Sequence, residues 1–173
     1  LISVFAGSLW ASGRTLFFPH LISGMGFETR LVLDNPSSVA ARVVLTARGD
    51  DGALLGGAGI QNLAAVTVPP YGQVAVEAGQ IFRLPGNTLY LGWIQGDSDN
   101  SQVTGLLYAL TAAQESRGGV EAGAALQTSL AGPIPSGLAS AIALVNPNPT
   151  NATVSLRLYD ANGRQQGQTS FTL

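Results

Sequence analysis

Alternation of apolar and polar residues dominates this chain, and it predicts β-strands. In residues 27–34, mainly apolar positions on one face alternate with mainly charged positions on the other. This period of two is typical of a strand with one buried and one solvated face. Similar segments predict strands at 40–48, 63–68, 73–77, 88–94 and 103–111, with a single helical turn at 78–83. Proline- and glycine-rich breaks separate the segments, so the chain is expected to be all-β and antiparallel.

The strand pattern occurs twice at a constant spacing. The first copy contains Leu31-x-Leu33-x-Asn35-Pro36, and the second contains Ile142-x-Leu144-x-Asn146-Pro147. Pro147 follows Pro36 by 111 residues, and Gly163 follows Gly52 by the same 111 residues. The second copy is expected to contain a strand ending at Asn146, with the inward face Leu138, Ser140, Ile142 and Leu144. Strand-like segments follow at 152–158 and 169–173, and the latter corresponds to 63–68. The second copy contains only the elements that make up the first half of the first copy.

The repeat predicts three regions. Residues 15–125 are expected to form a complete antiparallel sandwich of immunoglobulin-like size, because about seven short strands fit roughly 110 residues. Residues 126–173 are expected to form only the first half of a second sandwich. Residues 1–14 contain a short apolar run that resembles the strand at 104–109, and are expected to be a strand of a preceding or neighbouring unit. The Gly- and Ala-rich stretch 114–125 is interpreted as a linker.

A half-built sandwich leaves an apolar interior and unpaired strand edges without cover. The predicted donor strand is the apolar run of a neighbouring copy, with contact residues Leu1, Ile2, Val4 and Phe5. A second predicted contact is the outer face of the partial unit, where small apolar residues replace three charged residues and a valine of the first copy: Ala139, Ala141, Ala143 and Val145. Cover by a loop of the same chain is the alternative, since a strand that is apolar on both sides is usually covered on both sides.

The composition narrows the class of protein. Apolar residues make up 46% of the chain and charged residues only 10%, against roughly 25% charged in an ordinary soluble domain. This balance excludes a disordered chain. A surface with so little charge is poorly protected against self-association. The composition therefore fits either a sandwich from an organism that favours Ala and Gly, or a surface that is buried against its own copies.

Charge and residue usage exclude several partners and sites. The eight cationic side chains are all arginines, they are scattered singly, and the net charge is −2, so nucleic-acid binding is not expected. Cysteine is absent, which excludes disulfides and thiolate metal sites. No apolar run approaches the ~18 residues of a membrane span. No cofactor is expected.

The candidate chemistry is sparse. His20 is the single histidine, and no Gly-x-Ser-x-Gly motif accompanies it, so an enzyme is not predicted. Its repeat partner is Ala131, which favours a packing role at a strand end. Asp97 and Asp99 are candidate calcium ligands, because their oxygens in the run Asp97–Asn100 suit Ca²⁺. The alternative for these residues is turn formation.

Four aromatic residues are candidates for a platform that stacks on sugars: Trp10, Tyr71, Tyr90 and Trp93. Trp93 falls on the same side of its strand as Leu89 and Leu91. This placement favours burial of the indole over exposure to a ligand.

Several segments resemble a known module. The segment Leu16–His20, the glycines of Ser23–Phe27, the Leu-x-Leu-x-Asn-Pro strands and an Asp-x-x-Gly hairpin are similar to tandem β-sandwich repeats of secreted and cell-surface bacterial proteins. The second copy departs from the pattern, with Gln127–Ala131 in place of Leu16–His20. The resemblance implies a sandwich fold and an extracellular or cell-surface location, and it is silent on activity.

Two functional hypotheses follow. The first is a non-enzymatic extracellular structural subunit that assembles with copies of itself into a filament or surface layer, by β-strand complementation and sheet packing. The alternative is an ancillary carbohydrate- or cell-wall-binding module of a larger secreted protein. An exposed row of aromatic side chains would favour the second hypothesis, and an uncovered partial unit would favour the first.

Overall fold

The computed structural model describes residues 13–111, 113, 116–123, 129, 132 and 142–173, with only the backbone of 116–118. The chain divides into a first unit, Leu1–Ala143, and a second unit, Leu144–Leu173. In the described residues of the first unit the elements are β1 (Arg14–Ser23), β2 (Phe27–Asn35), β3 (Ala41–Gly49), β4 (Ala64–Val68), β5 (Gly72–Glu77), α1 (Ala78–Ile81), β6 (Tyr90–Ser98), β7 (Thr104–Thr111) and β8 (Ser116–Glu121). The second unit contains β9 (Thr153–Tyr159) and β10 (Gln165–Thr172).

The first unit is a two-layer β-sandwich. One four-stranded sheet has the order β1-β6-β3-β4, the other has the order β5-β2-β7-β8, and all neighbouring strands are antiparallel. Inward side chains of both sheets form one buried cluster that includes Phe18 and Leu45 from the first sheet and Leu33 and Leu107 from the second. The predicted all-β, antiparallel class is confirmed, while the finer immunoglobulin-like assignment stays a prediction.

The two sheets approach each other closely at Gly105 on β7. A Cβ atom at this position would lie 2.8 Å from the Phe18 ring of the opposite sheet, closer than real Cβ contacts allow. The absence of a side chain therefore lets the Phe18 ring fill the centre of the sandwich.

Most strands of the first unit agree with the alternation in the sequence, but two were missed. β1 contains Pro19, and its register against β6 shifts between Phe18 and Leu21. Proline is tolerated at such a bulge, and the shift interrupts the period of two that reveals a strand. β8 lies in the stretch 114–125, and it pairs with β7. The interpretation of that whole stretch as a linker is therefore wrong.

The predicted helical turn is confirmed as α1, whose end is closed by the Phe82 N–H donating to the Ala78 carbonyl at 3.0 Å. It contributes Ala78 and the following Phe82 to the core. Among the described residues there is no helix with the length and apolar character that a membrane crossing requires.

The second unit is a β-hairpin, a two-stranded sheet of β9 and β10. The sequence also predicted a strand ending at Asn146, with Leu138, Ser140, Ile142 and Leu144 on its inward face; residues 142–147 do not form one. In the first unit the equivalent strand β2 lies between β5 and β7, and no described segment takes their place here. Leu138 and Ser140 lie outside the described residues, and the boundary at 125 and 126 stays a prediction.

Candidate functional site

The second hairpin has the register of β3 and β4. Val154 lies opposite Phe171, as Val43 lies opposite Val66. Leu156 lies opposite Thr169, as Leu45 lies opposite Ala64. At the end of the hairpin, the backbone groups of Ala152 and Leu173 exchange two hydrogen bonds of 2.9 Å. The predicted correspondence between residues 169–173 and 63–68 is therefore confirmed.

An equivalent asparagine, Asn35 or Asn146, closes the loop before each hairpin. Asn146 Nδ2 donates to the Thr150 carbonyl at 2.8 Å and to the Leu173 carbonyl at 3.4 Å. In the first unit, Asn35 Nδ2 donates to the Val39 carbonyl at 2.8 Å and to the Val68 carbonyl at 3.2 Å. The asparagine of the Asn-Pro motif thus ties the loop to the last strand of the hairpin in both copies.

The hairpin turns also match. Gly163 N–H donates to the Asp160 carbonyl at 3.0 Å, and Gly52 N–H donates to the Gly49 carbonyl at 2.9 Å. Both turn glycines have φ +77°. In this left-handed conformation glycine avoids the steric cost of a Cβ atom.

Asp160 adds a carboxylate to the second turn. Its Oδ1 atom accepts from the Arg164 N–H and the Asn162 N–H, both at 2.9 Å, and its Oδ2 atom accepts from Gln166 Nε2 at 2.8 Å. The bond from the Arg164 N–H is the main cause that lowers the pKa of Asp160 below its ordinary value, because it favours the charged form.

The two hairpins differ in burial. In the first unit all the inward side chains of β3 and β4 are buried: Ala41, Val43, Leu45, Ala47, Ala64, Val66 and Val68. In the second unit no residue from 144 to 173 is buried. Leu158 is 47% exposed, Phe171 38% and Leu173 37%, while Val154 and Leu156 are half-buried. These five side chains are called the open face below.

The open face was not among the predicted assembly residues, although the sequence contained the signal for it. A shift of 111 residues maps Val154 and Leu156 onto Val43 and Leu45, which are at the centre of the first sandwich. A buried strand whose copy has no partner sheet must present the same apolar residues to its surroundings.

Within the described residues, β9 also has an unpaired edge. In the first unit β3 pairs with β4 on one side and with β6 on the other, whereas no strand in the described part of the chain pairs with the second side of β9. Ala152 bonds to the β10 side, so by antiparallel alternation the N–H and C=O groups of Thr153, Ser155 and Arg157 point to the free side. This free edge is a template for one more antiparallel strand.

The remaining predicted assembly residues are only partly described. Ala143 is exposed and Val145 is half-buried. Leu1, Ile2, Val4, Phe5, Ala139 and Ala141 lie outside the described residues. Their role in assembly stays a prediction.

The candidate calcium ligands take part in structural hydrogen bonds. Asp97 accepts from Thr15 Oγ1 at 2.8 Å and from Gln95 Nε2 at 2.8 Å. Asp99 Oδ1 accepts from the Arg42 N–H at 2.8 Å, beyond the last ladder pair of β3 and β6. Within the described ranges, no three His, Cys, Asp or Glu side chains gather where they would hold a metal. Asp99 lies in the bend that follows β6, as the turn alternative predicted, whereas Asp97 is a strand residue of β6 and the turn alternative does not apply to it.

Trp10 lies outside the described residues, and the three aromatic candidates that the structure describes do not form a row. Trp93 is 8% exposed, as its position on β6 predicted, although Leu89 and Leu91 on the same side are exposed. Its ring centroid lies 6.4 Å from that of Phe17, and the Arg48 guanidinium carbon lies 5.5 Å from it. Tyr90 is half-buried and Tyr71 is 76% exposed, so Tyr71 alone among the three described candidates is available for stacking.

His20 is half-buried on β1, within the register shift that follows Phe18. The sequence predicted His20 at a strand end, and this position is wrong because the residue lies inside β1. The Pro19-His20 pair is the irregular step that lets Leu21 return to the core.

Comparison with known proteins does not assign a family. No protein-family model matches the chain, and no curated protein matches it. Among solved structures, the chain is similar to one described as the crystal structure of Thermotoga maritima 1070. The two are 17% identical, and the similarity covers 63% of this chain and 91% of that chain with a TM-score of 0.48.

Proposed function

We propose that this protein is a non-enzymatic, extracellular structural subunit that assembles with copies of itself into a filament or a surface layer. The observation that carries the proposal is the second hairpin, which has the register and loop hydrogen bonds of β3 and β4 but leaves the equivalent apolar side chains uncovered. Cover from a neighbouring copy would bury the open face as the first sandwich buries its own.

The energetics favour a combination of strand addition and face packing. Burial of all four predicted donor residues, Leu1, Ile2, Val4 and Phe5, would contribute at most about 6–12 kcal/mol, at roughly 1.5–3 kcal/mol for each side chain, and a strand turns only alternate residues towards its acceptor. Ordering six residues costs about 9 kcal/mol. The donor strand alone is therefore near balance, and the open face supplies the additional apolar burial that a stable contact needs.

The proposed contact joins two different surfaces, which allows an open polymer. A donor segment of one copy and an acceptor hairpin of the next are different surfaces, so the contact is heterologous. Such contacts extend into a filament when the rotation between copies does not close a ring. The low charge of the chain places little electrostatic repulsion between the copies.

Deletion of residues 1–6 tests the proposal. The 173-residue chain is expected to form assemblies whose size rises with concentration, observed by negative-stain electron microscopy and analytical ultracentrifugation. The shortened chain is expected to stay a folded monomer by the same measurements. Equal assembly of both chains would contradict donation of this strand, and a monomeric full chain would contradict the proposal as a whole.

A pair of substitutions on β10 tests the open face. Phe171→Asp places a charge on the open face, whereas Thr172→Asp places the same charge on the opposite side of the strand. Phe171→Asp is expected to weaken assembly by at least about tenfold in Kd, and Thr172→Asp by less than about threefold. Circular dichroism checks that both variants keep the sandwich. Equal effects of the two charges on the Kd of assembly would show that the open face is not part of the interface.

A further inference from the structure

We infer that residues 1–9 of a neighbouring copy pair with the free edge of β9, in the place that β6 occupies beside β3. The inference rests on the proposed function and adds the acceptor strand and its register. The inference follows from the way in which β6 packs beside β3 in the first unit.

The first unit shows this packing. β6 pairs antiparallel with β3, with Ile94 opposite Ala47 and Gly96 opposite Leu45. A Cβ atom at Gly96 would lie 3.2 Å from Leu45 Cδ2 and 3.4 Å from Val43 Cγ1. The strand beside β3 therefore combines an apolar inward residue with a glycine two positions later.

The acceptor hairpin keeps the two side chains that crowd a Cβ atom at this position. Leu156 and Val154 are the same residue types as Leu45 and Val43, on a hairpin of the same register. A donor strand at this edge is therefore expected to fit best with a glycine opposite Leu156.

The apolar run at residues 1–9 meets this expectation. Phe5-Ala6-Gly7 has the pattern of Ile94-Gln95-Gly96, an apolar residue and a glycine separated by one position. The predicted register places Phe5 opposite Leu158, Gly7 opposite Leu156 and Leu9 opposite Val154. Ser3 falls at the position of Gly92, which pairs with Gly49 in the first unit. The counterpart of Gly49 on the acceptor is Asp160, which lies beyond the end of β9.

The free edge of β9 is also a better acceptor than the other candidate in the second copy. The sequence match between residues 1–6 and 104–109 would place the donor beside residues 142–147, as β7 lies beside β2. Residues 142–147 are not a strand, so both partners would have to be ordered on binding. β9 is already held in strand geometry by β10, and only the donor needs ordering.

Disulfide trapping between two copies tests the register. The chain has no cysteine, so any cross-link reports an introduced pair. Phe5→Cys in one copy and Leu158→Cys in a second, tagged copy would form a non-hydrogen-bonded antiparallel pair. Its Cα atoms would be about 4.5 Å apart, which suits a disulfide. A mixed dimer is expected under mild oxidation at assembling concentrations, and its yield should exceed that of Phe5→Cys with Arg157→Cys by about tenfold or more.

The outcomes separate the inference from the proposed function. Val4→Cys with Ile142→Cys probes the edge beside residues 142–147. A cross-link of this pair in place of the Leu158 pair overturns the inference and leaves assembly intact. Absence of both cross-links in assembled protein also overturns it. A wild-type chain that stays monomeric without any cross-link overturns both the inference and the proposed function.

A second pair of variants tests the glycine. Gly7→Val adds a side chain opposite Leu156, whereas Ser8→Val adds one on the outer face of the same donor. Overpacking predicts that Gly7→Val raises the Kd of assembly by about tenfold or more, and that Ser8→Val changes it by less than about threefold. Equal effects of the two valines would contradict the register.

Discussion

The β3–β4 hairpin and the β9–β10 hairpin are the same local structure in two environments. They share register, the closing asparagine and the turn hydrogen bonds. One belongs to a four-stranded sheet and buries its inward face against the second four-stranded sheet, and the other has no buried residue. The comparison shows that the ladder and loop hydrogen bonds of this hairpin join residues within about 30 positions of each other, whereas its cover depends on partner strands that are distant in sequence.

The Leu-x-Leu-x-Asn-Pro segments show the opposite dependence. In the first unit the segment is β2, which pairs with β5 and β7. In the second copy of the repeat, residues 142–147 carry the same motif without forming a strand. A hairpin supplies its own ladder, but this strand needs partners from elsewhere before its backbone groups can pair.

The largest difference between the two hairpins is expected in the loss of stability when Leu45 or its counterpart Leu156 is replaced by alanine. Leu45→Ala should lower the free energy of unfolding of the first unit by about 2–5 kcal/mol, because it leaves a cavity in a closed core. Leu156→Ala should lower it by less than about 1 kcal/mol. Urea unfolding followed by Trp93 fluorescence, under conditions where the chain is monomeric, measures both. Equal losses would show that the open face is covered within one copy.

The next difference is expected at the two closing asparagines. Asn35 is buried, and Asn35→Ala leaves the Val68 carbonyl without its side-chain donor at a cost of about 1–3 kcal/mol. Asn146→Ala should cost less than about 1 kcal/mol, because water can reach the groups that it frees. Thermal unfolding measures the first variant, and amide exchange at Leu173 measures the second. A larger loss of stability for Asn146→Ala than for Asn35→Ala would contradict this expectation.

Substitution of the turn glycine is expected to destabilise the two hairpin turns by the same amount. Gly52 and Gly163 have the same φ, and a Cβ atom at either position would meet nothing within 4 Å. Substitution by alanine should therefore cost only backbone strain, about 1–2 kcal/mol in each turn. Amide exchange at Gly49 and Asp160, whose N–H groups close the two turns, measures the effect. Asparagine in place of alanine is the control, since it tolerates this conformation and should cost less.

The smallest effect is a pH dependence confined to the second turn. Hydrogen bonds from the Arg164 and Asn162 N–H groups lower the pKa of Asp160 from its ordinary value of 3.8. The carboxylate therefore stabilises the turn above pH 3.8, and this contribution is lost as the pH falls through the lowered pKa. NMR titration of the Arg164 amide is expected to report a midpoint below 3.8. The same titration of Asp160→Asn should show no such step, and a midpoint above 3.8 would contradict the assignment.

Local patterns in the sequence predicted the strands that alternate cleanly and the correspondence between the hairpins. They failed at β1 and β8 for identifiable reasons. The Pro19-His20 step breaks the period of two within β1, and the glycines of β8 resemble a linker until β7 is available to pair with them. Prediction of both strands required knowledge of their neighbours in the sheet.

The sequence by itself determined the all-β class, the repeat and the turn chemistry, because alternation, Asn-Pro breaks and turn glycines act over a few residues. Only the tertiary structure decided which apolar faces are buried and which strand edges are free. Val43 and Val154 occupy equivalent positions in equivalent strands, and their burial differs because the sheet that faces Val43 is built from residues up to 78 positions away, at Glu121. Burial and ladder pairing depend on these long-range contacts, which a local pattern does not contain.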